Sequence, residues 1–446
     1  MADPIILQTP AKGKTISLEE YRRGNGYEGL RKALEAFTPQ QVKGMVLDSG
    51  LRGHGGAGFP TGRKWKLLKD DAPHPRYIIA NTDEMEPGTF KDRFLVSQNP
   101  HALIEGMLIA AYANSAGKGY FFVRPSYEKV AEIFSSALTD ARGAGLLGQH
   151  ILGSGFSFDI VVHRSAGRYI CGETKGLIRA LQGQRPHPNI EEHLTVSGLW
   201  GRPTIVNNAE TLSYVPHILR NGAEWFRGLG RHEKAPGHKI YCVSGKVRHP
   251  GAFELPFGTP LREIIEYAGG MKPGCAYKTC LPGGASTRYV PKGFYDVAMD
   301  FDSLQKIGAG HRFGTGAVVV FDETTCLVAA TLNLIRFFAR ESCGWCTPCR
   351  EGLPYMEELL SRIERGEGRE EYIPMLREMA AFQTHSYCAF AQGAAAPVQG
   401  LLEDFEEEVH EHITRKKCPF ERPARNNWPV KTVPESQPPL PDGVPK

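Results

Sequence analysis

Apolar and polar positions change rhythm twice along this chain. From about residue 20 to 230, short apolar runs alternate with longer stretches of helical periodicity. Tyr77-Ile-Ile-Ala80 and Gly119-Tyr-Phe-Phe-Val123 have the composition of buried strands, and Leu103 to Tyr112 carries a helical pattern between them. This β–α–β alternation predicts an α/β domain. Near His238 the pattern shortens. Lys239–Ser244, Gly251–Leu255 and Ala317–Phe321 are expected to be strands and Leu261–Tyr267 a helix, which together make a small α+β domain. After Glu323 the period becomes helical throughout, in Cys326–Arg340, Leu353–Glu364, Tyr372–Phe382 and Val398–Ile413, and four such helices predict a bundle. The expected division is 1–235, 236–325 and 326–418, followed by a tail, 419–446, whose prolines from Pro423 to Pro445 block helix and sheet alike.

The joint between the first two helices of that bundle carries the most informative chemistry. Glu341-Ser-Cys-Gly-Trp-Cys-Thr-Pro-Cys-Arg-Glu-Gly352 spaces Cys343, Cys346 and Cys349 as C-x-x-C-x-x-C. That spacing lets one tight turn aim three thiolates at an iron–sulfur cluster, with a remote cysteine as the fourth ligand. Structural zinc would show two separated C-x-x-C knuckles, and a disulfide framework suits a short secreted chain. Cys388 and Cys418 both lie downstream, and spacing alone does not choose between them. The bundle topology favours Cys388, which falls between the third and fourth helices. Cys171, Cys242, Cys275, Cys280 and Cys326 are expected to be packed thiols.

Composition narrows the class only modestly. A chain of 446 residues with 41% hydrophobic and 23% charged residues is an ordinary globular protein of two or three domains. A formal charge of +4 gives no case for nucleic acid. No apolar run is long enough to span a bilayer, and no signal peptide opens the sequence, which leads to the expectation of a cytosolic protein without direct membrane insertion.

Two polar segments in the first domain are candidate ligand sites. Leu51 to Gly62 contains G-x-G-x-x-G at Gly53, Gly55 and Gly58, with Gly56 between them. A dinucleotide turn needs a strand before it and a helix after it, whereas Gln40–Leu51 has a helical pattern and Phe59-Pro60 is expected to interrupt a following helix. This is not an ordinary Rossmann turn. So many glycines still let backbone N–H groups approach a phosphate or flat ring, with Arg63 and Lys64 adding positive charge; the competing reading is a mobile loop. Asn81-Thr-Asp-Glu-Met-Glu-Pro-Gly88 follows the first strand, where α/β sheets place ligand-binding side chains. Its acids could accept hydrogen bonds from ribityl or ribose hydroxyls, or could form an acidic surface turn.

With these segments in view the chain resembles the flavin-bearing, NADH-oxidising F subunit (51 kDa subunit) of bacterial respiratory complex I. The resemblance runs from Tyr21-Arg-Arg-Gly-Asn-Gly-Tyr-Glu-Gly29 to the bundle, and its strongest marker is the three-cysteine motif. It implies a Rossmann-like FMN-binding domain, a ubiquitin-like (β-grasp) domain and a four-helix domain carrying a 4Fe-4S cluster on Cys343, Cys346, Cys349 and Cys388. The implied FMN contacts are Gly53, Gly55, Lys64, Asn81, Asp83, Glu84, Tyr169, Gly172, Glu173, Asn207, Asn208 and Thr211, with Phe59 and Glu86 nearer the nucleotide. The implied chemistry is hydride transfer from NADH to FMN, then single electrons to the cluster and on toward quinone, with no general base. The implied partners are a thioredoxin-like 2Fe-2S subunit and a large iron–sulfur subunit, and the implied location is the inner face of the cell membrane, reached through the complex. Flavin-bearing subunits of hydrogenases and formate dehydrogenases share this core, but many carry further cysteine clusters.

The sequence departs from that family on the nucleotide side. Relatives read Tyr-Ile-Cys-Gly-Glu-Glu-Thr-Ala-Leu where this chain has Tyr169-Ile-Cys-Gly-Glu-Thr-Lys-Gly-Leu177. Thr174 and Lys175 replace negative with positive charge, which relaxes exclusion of a 2′-phosphate and admits NADPH as a competing donor. Ile190 and His193 stand where relatives have a nucleotide-contacting lysine and aromatic, and His54 where they have arginine. The alternative expectation is therefore an electron relay, supplied by NADPH or by a protein donor.

Overall fold

The computed structural model describes residues 4–7, 14–188, 193–308 and 312–420. Its first sheet is wholly parallel, in the order β3 (Asp159–Arg164), β2 (Lys118–Val123), β1 (Tyr77–Thr82), β4 (Thr204–Asn208). Ile78, Ile79 and Ala80 of β1 are fully buried, as expected of a strand covered on both faces. The crossover from β1 to β2 contains the helix Pro100–Asn114, apolar and buried on nearly every side. It lies so close to the helix Ala209–Asn221 that a Cβ at Gly106 would stand 2.1 Å from the Leu212 carbonyl oxygen. The chain leaves β1 toward β2, whereas β4 adds on the other side, so the C-terminal ends of β1 and β4 border a topological switch point.

The entry segment is tied to this core by one carboxylate. Glu105, on the helix Pro100–Asn114, accepts from Tyr21 Oη at 2.6 Å, Tyr27 N at 2.8 Å and Leu30 N at 3.0 Å. Gly29 is required beside it, because a Cβ there would meet the Pro216 carbonyl oxygen at 2.5 Å.

The second sheet is mixed, in the order β6 (Gly251–Pro256), β5 (His238–Gly245), β8 (Ala317–Asp322), β7 (Tyr277–Leu281). Only the central β5–β8 pair is parallel. The helix Leu261–Tyr267 forms as expected, while β7 and the helix Phe301–Ile307 lack a clear sequence period. This α+β unit is joined to the first by a buried ion cluster: Glu210 receives Lys239 Nζ at 2.7 Å, Lys91 Nζ at 3.1 Å and the Ile240 amide at 2.8 Å.

The last part is helical: Leu327–Glu341, Thr347–Glu364, Tyr372–Phe382, Ala389–Asp404 and Glu406–Arg415. Two boundaries differ from the periodicity. The second helix starts at Thr347, six positions before the expected Leu353, because Pro348 in the first turn needs no amide partner. The expected 398–413 helix is two helices, broken at buried Phe405, whose backbone leaves the helical region. Most of the tail, 421–446, lies outside the described residues.

Candidate functional site

A cavity of about 320 Å³ opens at the switch point, within the usual range for small-molecule sites. The glycine loop, the turn after β1, Tyr169 to Glu173 and Asn208 form one side. Ser286, Thr287, Arg312, Gly314 and Thr315 come from the α+β unit, and Ala389, Phe390 and Gly393 from the helical domain. The cavity thus collects, from the sequence candidates, Gly55, Gly56, Asn81, Asp83, Glu84, Glu86, Tyr169, Gly172, Glu173 and Asn208. The lining residues of the other two units had no local signal, because only docking brings them there.

Other candidates support the wall rather than line it. Gly58 has φ +65° and faces Phe301, whose ring a Cβ would meet at 2.6 Å. Gly53 N donates to Phe59 O at 2.9 Å, closing the loop, and the Phe59 ring is half exposed outside the cavity. Lys64 Nζ donates to Val206 O at 3.0 Å, and burial lowers its pKa. Asn207 Oδ1 accepts from Trp65 Nε1 at 3.0 Å, and Thr211 Oγ1 accepts from the His54 amide at 2.9 Å. Pro60 does not interrupt the following helix but caps it, since Thr61–Lys66 is helical and proline is tolerated where helix amides are unpaired anyway.

Acids dominate the lining. Asp83 Oδ1 accepts from Ser165 at 2.8 Å, while its Oδ2 is buried with no hydrogen-bond partner among the described residues. Burial raises the Asp83 pKa to about 6. Glu84 turns toward the helix Lys91–Gln98, accepting from the Asp92 amide at 2.9 Å and Tyr127 Oη at 3.2 Å; burial and the neighbouring Asp92 raise its pKa to about 7. Glu86 accepts from Ser286 N at 2.6 Å and from Tyr169 Oη, and burial raises its pKa. Glu173 caps the helix Thr174–Leu181 through Gly176 N at 2.8 Å. Asn208 is held by Lys91 at 3.0 Å and Asp92 at 2.7 Å. An orphaned carboxylate oxygen beside a loop where a Gly55 Cβ would stand 3.3 Å from Asn208 fits a flat, hydroxyl-bearing group.

The departures noted in the sequence fall in different places. Thr174 is the first helical residue after Glu173 and does not line the cavity. His193 is exposed and bonds Thr195 at 2.8 Å, and Ile190 lies outside the described residues. His54 does not line the cavity: its ring is buried, 3.2 Å from Glu210 and edge-on to Tyr214 and Phe257. It belongs to the core, where it faces the buried Glu210 carboxylate.

The three-cysteine loop lies next to the cavity. Cys346 precedes the helix Thr347–Glu364, Cys349 sits in its first turn, and Cys388 precedes Ala389–Asp404. Burial chiefly pushes the Cys349 and Cys388 thiols up to about 12; Cys343 and Cys346 add to this at Cys349, and Glu173, Cys343 and Cys349 at Cys388. No three of these four sulfurs lie within 4.8 Å of one another. Ser342 Oγ lies 3.2 Å from Cys349 Sγ, Arg185 donates to Cys343 O at 2.8 Å, and His187 stacks on Trp345 with centroids 4.2 Å apart. No helix among the described residues is long and apolar enough to cross a membrane.

Known proteins share this layout. Residues 46–217 match the Nuo51 FMN-binding domain, 240–289 the SLBB domain, and 329–412 the NADH-ubiquinone oxidoreductase-F iron-sulfur binding region. The NADH-quinone oxidoreductase F subunit of Salmonella typhimurium is 48% identical over 410 residues, 91% of each chain. The F 2 subunit of the Rhizobium meliloti NADH-quinone oxidoreductase is 44% identical over 423 residues, covering 94% of this chain and all of that one. The NAD+-reducing [NiFe]-hydrogenase in its H2-reduced state is similar at TM-score 0.79 and 31% identity, across 94% of this chain and 68% of that chain. This chain belongs to the family of NADH-quinone oxidoreductase F subunits.

Proposed function

We propose that this chain is the electron-input subunit of an NADH-quinone oxidoreductase, holding FMN in the cavity and a 4Fe-4S cluster on Cys343, Cys346, Cys349 and Cys388. One observation carries the reading: the helix Ala389–Asp404 starts at Cys388 and sends its second residue, Phe390, into the cavity wall. Flavin site and cluster site share one turn of backbone, which suits electron transfer between them.

Bound FMN would supply the conversion of a two-electron hydride into single electrons that an iron–sulfur centre accepts. Asn81, Asp83 and Glu173 would hold its hydroxyls, and the Gly55–Gly56 backbone would take its ring or phosphate. Glu86, fixed by Tyr169 and Ser286, would face the nucleotide. The chain itself moves no proton in this scheme. Its work is to orient the two rings and keep water out.

The division into 1–235, 236–325, 326–418 and 419–446 is proposed with this function, the three main apolar clusters being drawn mostly from one of the first three segments each. A thioredoxin-like 2Fe-2S subunit and a large iron–sulfur subunit are the proposed partners. The hydrogenase likeness supports a second reading, a diaphorase subunit. The higher identity and nearly full-length match to the quinone-oxidoreductase relatives favour the first.

Anaerobic titration of the flavin in the purified chain with its two-iron partner tests the proposal. Rapid bleaching by NADH is expected. Bleaching by dithionite but by neither NADH nor NADPH would overturn it in favour of a relay supplied by another protein.

A further inference from the structure

Cys326 and Cys418, one expected to be a packed thiol and the other left open as a cluster ligand, meet at the end of the helical domain remote from the three-cysteine loop. Cys326 precedes the helix Leu327–Glu341 and Cys343 follows it. A helix of 15 residues puts roughly 22 Å between those ends.

Four donors of mixed type converge there. Cys326 Sγ lies 3.3 Å from His412 Nε2 and 3.7 Å from Glu364 Oε2, and His412 Nε2 lies 3.5 Å from Glu364 Oε2. Cys418 Sγ joins them, all four atoms lying within 4.8 Å of one another. A tetrahedral zinc ion, with bonds of about 2.0 to 2.3 Å, sets its ligand atoms roughly 3.3 to 3.8 Å apart. The three closer separations match those edges without rearrangement.

Two further contacts prepare the donors. His412 is fully buried, and its Nδ1 donates to Glu408 O at 2.6 Å, which turns Nε2 toward Cys326 and Glu364. Cys326 Sγ accepts from Ala329 N at 3.3 Å at the start of a long helix, which fixes the sulfur in place. Two sulfurs, one imidazole and one carboxylate suit zinc rather than a hard cation.

We propose that Cys326, Glu364, His412 and Cys418 bind one structural Zn2+. All four positions are filled by protein, so the site is closed and takes no part in electron transfer. It fastens the start of one helix, the end of Thr347–Glu364 and the segment after Glu406–Arg415 at one point. Cys418 is thereby excluded from the iron–sulfur cluster.

Elemental analysis of the full-length chain, purified with its cluster intact, tests this independently of nucleotide reactivity. About one zinc per chain is expected beside the iron, falling at least about fivefold in Cys418→Ser with iron unchanged. Protein produced in cobalt medium should show thiolate-to-cobalt absorption that Cys418→Ser abolishes. Full iron with neither zinc nor cobalt uptake in the unsubstituted chain would overturn the proposal, leaving a hydrogen-bonded Cys–His–Glu cluster. Equal loss of iron and zinc in Cys418→Ser would also overturn it, by making Cys418 a cluster ligand.

Discussion

Tyr169 donates its phenolic hydrogen to Glu86 Oε2 at 2.5 Å, joining the turn after β1 to the short turn Tyr169–Gly172 ahead of the helix Thr174–Leu181. The Tyr169 ring packs edge-on against Phe337, Phe338 and Phe390, so the position of Glu86 is set partly by the iron–sulfur region. Tyr169→Phe keeps that packing and removes the bond. Because a hydrogen bond to a charged group is worth about 1.5 to 3 kcal/mol, kcat/KM for NADH should fall roughly tenfold or more. The cluster's electron paramagnetic resonance signal should stay as it was. An unchanged kcat/KM would separate Glu86 from nucleotide binding.

Asp83 gives the flavin-free protein a pH signature. Its pKa is raised to about 6, so the folded chain holds this proton more tightly than the unfolded chain does. That contribution to stability is full below about pH 4 and is lost as pH rises through about 6, amounting to at most about 3 kcal/mol. Asp83→Asn should remove this part of the slope, and a donor hydroxyl from bound FMN should flatten it in the unsubstituted protein. Urea unfolding at several pH values measures both, and an identical slope in Asp83→Asn would refute the assignment.

Cys388 should matter to iron and not to flavin. Cys388→Ser is expected to lose most of the cluster iron while FMN content stays near that of the unsubstituted chain, since the proposed flavin contacts are other residues. Simultaneous loss of both cofactors would mean that the cluster holds the cavity together.

Thr174→Glu restores an acid at the start of the helix Thr174–Leu181, next to Glu173. A carboxylate there repels a 2′-phosphate, so the preference for NADH over NADPH should rise about tenfold. Stopped-flow bleaching with each nucleotide measures the ratio, and no change would place position 174 away from the bound ribose.

Glu105→Ala would leave the Tyr21 hydroxyl and the Tyr27 and Leu30 amides buried without their acceptor. A loss of about 3 kcal/mol or more is expected in denaturant unfolding. A loss below about 0.5 kcal/mol would show that the entry segment swings out to water at no cost.

Much of this protein was decided locally. Tyr77–Ala80 and Gly119–Val123 are strands because a short apolar run covered on both faces has few other solutions, and Leu261–Tyr267 and Tyr372–Phe382 are helices at the bounds their periodicity gives. The spacing of Cys343, Cys346 and Cys349 carried its own chemistry, because ligands two residues apart meet within one turn. Tertiary structure decided the rest. It separated Gly55 and Gly56, which line the cavity, from Gly58, which makes room for Phe301. It drew His54 into the core beside Glu210, and it brought Ser286 and Phe390 to a cavity whose other wall is drawn from Gly55 to Asn208. It also carried Cys418 to Cys326 and not to Cys343. Sequence period reports only which face of an element is buried; which distant side chains share a site follows from how the three units pack on one another.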